Sequence, residues 1–307
     1  MRIARFLSIS YLAFGTLMFS LQTRMIFPGQ ESQGQAYAVV RPRNGAELVR
    51  LKTASGVPIV ALYGAALDPN GRPDLRAADR PTLIDFYGNG MCLNDTIGKF
   101  EQYRRLGLNV IFPEYVGYGM SGGKPSETGC RETAEAAYEY LTRTRKVPAD
   151  RIIAAGWSLG GAVAIDLASR HRVAGLIVFS TFTSMSEMAR QIAPFLPTSL
   201  LLRHRFDSLR KIPTITCPIL IGHGRRDQVV PFVMGERLAK AAKAPVTTLW
   251  IDDADHNDFF SVAGRRGDRA IERFAASLPV TDPRGGMLNL PRLPEAPHAA
   301  PTQDRRR

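Results

Sequence analysis

A serine inside a glycine-rich pentapeptide is the residue of this sequence best suited to nucleophilic chemistry. Ser158 lies in Gly-Trp-Ser-Leu-Gly, residues 156–160, and chance alone would place such a Gly-x-Ser-x-Gly pattern in about one in ten chains of this length. The surroundings are more specific, because an apolar run of strand length precedes the serine and an alanine-rich helical run follows it. A nucleophilic serine on a tight strand-to-helix turn needs this setting and small flanking residues. The pattern therefore predicts a nucleophile, with a plain glycine-rich turn of another α/β fold as the alternative.

A serine hydroxyl attacks a carbonyl group efficiently only when a base removes its proton and a carboxylate orients that base. Asp227 lies just past the apolar run 217–223, and His256 lies in the loop after the run 246–251. Both residues therefore follow predicted strand ends, in the chain order serine, acid, histidine. Each has another interpretation, since Asp227 could cap a helix and His256 could be a surface residue. Their joint placement predicts a catalytic triad with Ser158.

Neighbouring residues compete for the roles of base and acid. His223 lies at a strand end four residues before Asp227, and we expect it to pack near the acid loop without transferring a proton. Three aspartates compete as the acid, but they crowd His256 in sequence, whereas Asp227 keeps the expected topology. These three are Asp252, Asp253 and Asp255.

Attack on a carbonyl group creates an oxyanion, which preorganised N–H donors must stabilise. We expect one donor to be the backbone N–H of Leu159, at the start of the helix that follows Ser158. The second should be the backbone N–H of Asn89, in the glycine-rich loop after the third predicted strand, although this loop could also be an ordinary turn. We predict no cofactor and no metal, and the three cysteines show no metal-binding spacing.

The elements that would position these residues alternate between strand and helix. A hairpin is predicted over 47–52 and 57–62, ahead of several apolar runs of buried-strand length. The runs are 81–87, 108–115, 151–157, 173–180, 217–223 and 246–251, and the helical stretches are near 96–105, 130–143, 159–171 and 233–242. Near-continuous apolarity favours parallel strands covered on both faces. An α/β-hydrolase fold and a plain doubly wound α/β domain both fit this order.

Two segments fall outside the alternation. Residues 181–213 predict a small helical lid over the carboxyl ends of the strands. The large apolar residues of this lid could hold an acyl chain or simply pack against the core; they are Phe195, Leu196, Leu200, Leu201 and Leu202. From Asp282 to residue 307 the chain is rich in proline and arginine, which predicts a disordered tail. The folded domain should therefore span 24–281.

The first 23 residues raise the question of membrane attachment. Eighteen uncharged residues lie between Arg5 and Arg24, which is near the short end of what can span a bilayer. This favours a single-pass anchor over residues 1–23, with a cleaved signal peptide or an ordinary helix as alternatives. More positive charge precedes the segment than follows it. We therefore expect the N-terminus in the cytoplasm and the large domain on the non-cytoplasmic side.

The net charge of +12 raises the question of nucleic-acid binding. The positive charge is spread along the chain, without a dense Lys/Arg block or a basic motif interleaved with aromatic residues. We therefore predict no nucleic-acid partner and only a general attraction to anionic surfaces such as lipid headgroups. The cysteines do not form a disulfide scaffold, although a Cys92–Cys130 bridge stays open if the domain is exported. The oligomeric state is not indicated.

Several segments together resemble the small-lid α/β-hydrolases, a group that includes membrane-anchored eukaryotic serine hydrolases related to protein depalmitoylases. Residues 113–127, Pro-Glu-Tyr-Val-Gly-Tyr-Gly-Met-Ser-Gly-Gly-Lys-Pro-Ser-Glu, are similar to that group's D-Y-R-G-Y-G-x-S-x-G-x-P-S-E stretch. Also similar are the turn 156–161, the lid boundaries 181–183 and 205–208, and the junction 24–28 after the apolar segment. The resemblance implies an α/β-hydrolase fold, with a mostly parallel sheet, an antiparallel N-terminal hairpin, helices on both faces and a small helical lid.

Three positions depart from the pattern of that group. Tyr87 stands where a histidine usually precedes the glycine of the oxyanion loop, which could change how the loop is braced. Glu114 and Val116 replace the usual aspartate and arginine after the fourth strand, so a structural ion pair could be missing. None of these positions belongs to the predicted triad, and activity is therefore expected.

The function that follows is hydrolysis of carboxylic ester or thioester bonds in small-molecule, acyl-like substrates, through an acyl-enzyme on Ser158. His256 would act as base and then as acid, and Asp227 would fix the tautomer of the imidazole. A serine peptidase or amidase is the main alternative, because related triads also cleave amides. A membrane-tethered binding module without catalysis is the remaining one.

Overall fold

An eight-stranded sheet runs through the structure, a computed structural model that describes residues 2–278. Its strands are β1 Glu47–Lys52, β2 Pro58–Gly64, β3 Thr82–Phe86, β4 Asn109–Pro113, β5 Ile152–Trp157, β6 Gly175–Phe179, β7 Ile219–Gly224 and β8 Val246–Ile251. They lie side by side in the order β1-β2-β4-β3-β5-β6-β7-β8. The pairs β1–β2 and β2–β4 are antiparallel and all other neighbours are parallel. The predicted fold class, with its N-terminal hairpin, is confirmed.

Helices surround this sheet in the described part of the chain. They are α1 Arg2–Ile26, α2 Ile97–Arg105, α3 Glu127–Glu139, α4 Leu159–Arg170, α5 Met185–Ile192, α6 Thr198–Leu201, α7 Ser208–Lys211, α8 Phe232–Ala241 and α9 Phe259–Ser277. The four helical stretches expected between strands correspond to α2, α3, α4 and α8. The short helices α5, α6 and α7 lie within the predicted lid, 181–213. The predicted tail from Asp282 lies outside the described residues.

Burial of the strands follows their position in the sheet. Every residue of β3, β4 and β6 is buried, as expected of strands covered on both faces. β8 differs, because it lies at the edge of the sheet and exposes Thr247 and Thr248. The expectation that all six apolar runs are covered on both faces is therefore wrong for 246–251.

The last helix, α9, was not among the predicted elements. Its sequence is rich in charged residues, and Gly264, with φ of 44°, interrupts the helical backbone. Ile271 and Phe274 are buried, and the helix contacts β7 and β8, while the Phe274 ring lies close to Gly175 in β6. Tertiary burial therefore stabilises a segment whose local sequence is a weak helix signal.

α1 stands apart from the other helices in its composition. Its 25 residues reach about 37 Å, and within residues 2–278 it is the one helix long and apolar enough to cross a membrane. Only 6% of its most apolar window is buried, so it is not an ordinary core helix. A signal sequence would have the same length and composition, and these properties alone make α1 weak evidence for an anchor.

The start of α4 approaches the sheet too closely for side chains to intervene. A Cβ added to Gly160 would collide with the backbone carbonyl of Phe86 in β3. A Cβ on Gly156 would collide with the backbone of Gly160, and one on Gly161 would crowd Thr181. Because these neighbours are mostly backbone, the turn from β5 into α4 requires glycine, which is the physical reason for the pentapeptide pattern.

Alanine substitutions at two helical glycines should therefore have opposite effects on stability. Gly160→Ala should lower the free energy of unfolding by about 3 kcal/mol or more, because the new Cβ meets rigid backbone. Gly98→Ala is the matched control in α2, where a Cβ would have open space around it. Alanine there should raise the free energy of unfolding by about 0.5 kcal/mol. Denaturant unfolding of the purified protein measures both, and similar effects at the two sites would contradict the close approach.

Candidate active site

Ser158 joins β5 to α4 in a backbone conformation that few residues other than glycine adopt, with φ of 56° and ψ of −120°. Such a conformation costs about 1–3 kcal/mol and persists only where the surroundings hold it. The Ser158 N–H donates to the Phe179 carbonyl at 3.0 Å, and the Ser158 carbonyl accepts from the Thr181 hydroxyl at 2.8 Å. Both partners lie at the end of the neighbouring strand β6, so the sheet itself holds the turn.

Three side chains from three loops form a continuous chain of hydrogen bonds. His256 Nε2 lies 3.0 Å from Ser158 Oγ, and His256 Nδ1 lies 2.8 Å from Asp227 Oδ2. A neutral imidazole protonated at Nδ1 would donate to Asp227 and accept the serine proton at Nε2. The exposed fractions of the three residues are 8% or less. The structure thus brings together the three residues that their order in the sequence selected.

Asp227 is held in its ionised form by several donors. Its Oδ1 accepts the N–H groups of Val229 at 3.0 Å and Val230 at 2.7 Å. Burial by itself raises the pKa of Asp227. The hydrogen bonds from His223 and His256, the charge of His256 and the Val230 N–H outweigh burial and lower this pKa to about 2. Asp227 is therefore a carboxylate at neutral pH, as a group that orients an imidazole must be.

His223 lies beside the acid loop, as expected from the sequence. Its Nε2 is 2.8 Å from the Val230 carbonyl oxygen and 3.2 Å from Asp227 Oδ2. Because the Val230 carbonyl only accepts, Nε2 carries the proton and donates. The ring is completely buried, and its hydrogen bonds brace the acid loop.

The three aspartates near His256 have other partners. Asp255 Oδ1 accepts the N–H of Gln228 at 2.9 Å and the N–H of His256 at 2.6 Å. It therefore ties the acid loop to the histidine loop through backbone groups. The other two form ion pairs at the surface, Asp252 with Arg225 and Asp253 with Arg226.

Asn89 lies in a loop that is fixed from three directions. Its carbonyl oxygen accepts the Gly29 N–H at 2.9 Å and the Tyr118 hydroxyl at 2.8 Å. Its side-chain amide donates to the Ile26 carbonyl at 3.0 Å. Within residues 2–278 the backbone N–H of Asn89 donates no hydrogen bond, so it is free to bind an incoming oxygen atom.

Leu159 is the first residue of α4, where a helix leaves its N–H groups without internal partners. Leu159 and Asn89 line the same cavity as Ser158 and His256. This common location is what an oxyanion hole requires. The assignment of the two N–H groups as oxyanion donors stays a prediction.

Two departures from the pattern of small-lid hydrolases contact each other beneath this loop. The Tyr87 hydroxyl lies 3.3 Å from Glu114 Oε1. Glu114 also accepts the N–H groups of Leu93 at 2.7 Å and Met120 at 2.9 Å. Burial raises the pKa of Glu114, and these hydrogen bonds oppose that rise. A phenol and two backbone amides thus satisfy the carboxylate, so the loop is braced although Val116 cannot supply an ion pair.

Ser158 and His256 face an apolar cavity of about 580 Å³, a volume common among small-molecule sites. The lid supplies much of its wall, including Met185, Met188, Ile192, Leu196, Leu201 and Leu202. The sequence leaves open whether five large apolar residues of the lid hold an acyl chain or pack against the core, and three of them line the cavity: Leu196, Leu201 and Leu202. Phe195 and Leu200, which are 59% and 80% exposed, do not line the cavity, so the acyl-chain interpretation is wrong for these two residues.

α1 also lines the cavity, which the sequence did not lead us to expect. Met18, Phe19, Gln22, Met25 and Ile26 of this helix contribute to the wall. The sequence predicts an anchor over residues 1–23 that is separate from the hydrolase domain. Gln22 was the residue that could have indicated this packing, because an amide side chain in an apolar helix needs polar partners when it is buried.

No group of three or more His, Cys, Asp or Glu side chains in the described part of the chain could hold a metal ion. Cys92 and Cys130 are free and buried, so the bridge that the sequence left open does not form in this structure. Burial raises the pKa of the Cys92 thiol to about 11, which keeps it protonated and unreactive at neutral pH.

The sequence is similar to a family of known proteins and to individual relatives. A family model described as an alpha/beta hydrolase domain matches residues 121–277. An uncharacterized protein of Mycobacterium tuberculosis is 38% identical over 274 residues, which cover 89% of this chain and 94% of that protein. The alpha/beta hydrolase domain-containing protein 17B of Homo sapiens is 30% identical over 220 residues, covering 71% of this chain and 72% of that protein. The relatives therefore match most of the chain.

Solved structures show the same fold at lower sequence identity. An esterase of Pyrococcus furiosus aligns with a TM-score of 0.62 and 20% identity, over 78% of this chain and 97% of the esterase. An alpha-beta hydrolase of Vibrio vulnificus aligns with a TM-score of 0.62 and 18% identity, over 82% of this chain and 91% of that chain. At such identities the likeness concerns the fold alone.

Asp227→Asn should remove a pH-dependent part of the stability. The pKa of Asp227 falls from about 3.8 to about 2 on folding, so its charge stabilises the folded state at pH values above about 4. This contribution, about 2 kcal/mol, is lost as the pH falls through about 2. Between these pH values the free energy of unfolding should therefore decrease less in the variant than in the wild type, as denaturant unfolding at a series of pH values would measure.

The control for this measurement is Asp252→Asn, in the loop after β8. The Asp252 side chain is 79% exposed and pairs with Arg225 at the surface. This variant should keep the pH dependence of the wild type. Parallel curves for the wild type and Asp227→Asn would show that the two histidines do not hold the buried carboxylate in its charged form.

Proposed function

This chain belongs to the alpha/beta hydrolase family, and from that premise we propose that it is a serine esterase acting on carboxylic esters or thioesters of small acyl compounds. Family membership makes the protein an enzyme, a hydrolase. The finer proposal is carried by one observation, the hydrogen-bonded chain Ser158 Oγ, His256 imidazole and Asp227 carboxylate, with separations of 3.0 and 2.8 Å.

In the first step, His256 Nε2 takes the hydroxyl proton of Ser158 while Oγ attacks the carbonyl carbon of the substrate. The carbonyl oxygen becomes an oxyanion, and His256 becomes an imidazolium beside the Asp227 carboxylate. His256 then returns the proton to the departing alcohol or thiol as the tetrahedral intermediate collapses. An acyl-enzyme on Ser158 remains, and water releases the acid by the same two proton transfers.

The oxyanion would be stabilised by the backbone N–H groups of Leu159 and Asn89. Each such donor lowers the barrier by about 3 kcal/mol in hydrolases of this type. The hydrogen bonds that hold the Asn89 loop from Ile26, Gly29 and Tyr118 support this role, because donors that are already oriented need no rearrangement during the reaction.

The apolar cavity supports an acyl group as the part of the substrate that is recognised. Its lid wall is built from Met, Ile and Leu side chains, and Met185 and Met188 can adapt to chains of different shape. Apolar walls around a reactive serine favour a hydrocarbon chain next to the scissile bond. We assign residues 24–281 to this hydrolase domain, with 181–213 as its lid.

We further propose that α1 anchors the enzyme in a membrane, with the hydrolase domain on the non-cytoplasmic side. The support is the length and apolar composition of the helix, together with Arg2 and Arg5 at its N-terminal end.

Ser158→Ala should abolish labelling by a fluorophosphonate probe and lower kcat for p-nitrophenyl butyrate by about 10⁴-fold or more, because no other nucleophile takes its place. The matched control is Ser180→Ala, another buried serine, at the end of β6, whose hydroxyl has no hydrogen-bond partner among the described residues. That variant should label like the wild type.

Three results would contradict the proposal in different ways. A folded wild type that does not label would favour a binding module without catalysis. Labelling of Ser158→Ala would mean that another residue is the nucleophile. Faster cleavage of butyryl p-nitroanilide than of the matched p-nitrophenyl ester would indicate an amidase.

Fractionation of cells that express the intact chain tests the anchor. After a carbonate wash the protein should remain in the membrane pellet, and mass spectrometry should find its N-terminal segment uncleaved, because the span of α1 is held by lipid. A soluble protein trimmed within the first 30 or so residues would instead identify a signal peptide.

A further inference from the structure

The C-terminal half of α1 is part of the wall that surrounds the reactive serine. Met18 and Gln22 line the cavity on one face of the helix, and Ile26 continues this face one turn further. The carbonyl of Ile26 accepts the side-chain amide of Asn89 at 3.0 Å. The helix therefore contacts both the predicted acyl cavity and the predicted oxyanion loop.

Polar contacts attach α1 to the lid at several points. Gln22 is only 5% exposed, and its side chain accepts the Arg203 N–H at 2.8 Å while donating to the Leu201 carbonyl at 3.3 Å. Further towards the N-terminus, the Tyr11 hydroxyl donates to the Phe195 carbonyl at 3.0 Å. A helix that acts only as a tether needs no such contacts, so α1 has a defined position against the lid.

These contacts constrain where a membrane can lie. A bilayer span takes about 20 residues, and the lid contacts reach as far as Tyr11, near the middle of the 25-residue helix. The stretch that touches the lid and the stretch that would lie in lipid therefore overlap. If α1 enters a bilayer in this conformation, the tip of the lid enters with it.

The tip of the lid has the exposed apolar side chains that a position in the bilayer requires. We call Ile192, Phe195 and Leu200 the lid tip; their side chains are 72%, 59% and 80% exposed. The lid tip reaches α1 through Phe195, whose ring lies 5.6 Å from that of Phe14. The exposed apolar side chains of α1 include Leu12, at 65%, so the two elements together present a larger apolar surface than either does alone.

Positive charge lies where this apolar surface ends. Arg24 at the end of α1, and Arg203 and Arg205 at the end of the lid, are all exposed, and the Arg203 guanidinium lies 4.1 Å from the ring centroid of Phe19. An apolar surface followed by arginines matches the hydrocarbon and the anionic headgroups of a lipid layer.

We propose that α1 and the lid tip lie together in an anionic bilayer, and that α1 forms the wall of the cavity that selects the acyl chain. The substrate is then a long-chain acyl ester or thioester whose chain already resides in that bilayer and passes between α1 and the lid. This inference rests on the proposed esterase function and deepens it, because it makes the anchor a specificity-determining part of the site.

Substitutions at Met18 test the wall directly. Met18→Trp fills the cavity, so the ratio of kcat/KM for p-nitrophenyl palmitate to that for p-nitrophenyl butyrate should fall by about tenfold or more. Met18→Ala enlarges the cavity and should raise this ratio, which provides a second variant if tryptophan prevents folding. The matched control is Leu17→Trp on the same turn, since Leu17 is 51% exposed and does not line the cavity; it should behave like the wild type.

The outcomes separate this inference from the function on which it rests. If neither Met18 variant changes the ratio while both esters are cleaved, the esterase stands and α1 is not a wall of its acyl site. An equal fall in Leu17→Trp and Met18→Trp would likewise overturn the inference. If the folded wild type cleaves no ester at all, the proposed function itself fails.

A second measurement tests whether the lid tip lies in the bilayer. Leu200→Glu places a charge on the lid tip outside the cavity, and it should lower hydrolysis of p-nitrophenyl palmitate held in phosphatidylglycerol vesicles by about fivefold or more, because a charge is costly in hydrocarbon. The control, Leu75→Glu, changes a fully exposed leucine far from α1 in the sequence and should have no effect. Equal rates for the two variants would show that the lid tip does not enter the bilayer.

Discussion

The left-handed backbone of Ser158 is the constraint on which the rest of the site depends, because this conformation is costly for a residue with a side chain. The sheet supplies what holds it, through hydrogen bonds from the end of β6 and through the glycine contacts that let α4 approach β3. The hydroxyl is thereby fixed at the carboxyl ends of the parallel strands. Loops after β3, β7 and β8 converge at the same edge, which is where sheets of this class assemble sites from residues distant in sequence.

Around the serine, the polar groups are secured by more hydrogen bonds than the predicted chemistry alone requires. Asp227 accepts two backbone N–H groups and lies within reach of two histidines. The resulting low pKa keeps a negative charge beside His256, where an imidazolium would form. Beneath the predicted oxyanion loop, the hydroxyl of Tyr87 contacts the carboxylate of Glu114, where related hydrolases are expected to have an ion pair. This exchange preserves the support of the loop and avoids burying a second charge, whose desolvation would be costly.

α1 contacts the loop that contains Asn89, so the position of this helix affects the candidate active site. If a flexible linker joined an anchor to the domain, the position of the membrane would not affect the geometry of the site. Here the helix ends at Ile26, whose carbonyl binds the Asn89 side chain, and Gly29 binds the Asn89 carbonyl shortly afterwards. α1, the lid and the loop that contains Asn89 therefore share one set of contacts, and a displacement of α1 would reach this loop through two hydrogen bonds.

The sequence by itself determined the features that local patterns encode. Hydrophobic periodicity identified the hairpin and the parallel strands, and the order of Ser158, Asp227 and His256 at successive strand ends selected three side chains that do meet. Only the tertiary structure decided what depends on contacts between distant segments. Gln22 and Arg203 lie 181 positions apart, and no local period could show that they bond, that α1 lines the cavity, or that Leu201 faces inwards while Leu200 faces out. α9 was missed because its charged sequence is a weak local helix signal, and part of the packing that stabilises it comes from a distant segment, such as Gly175 in β6 next to Phe274.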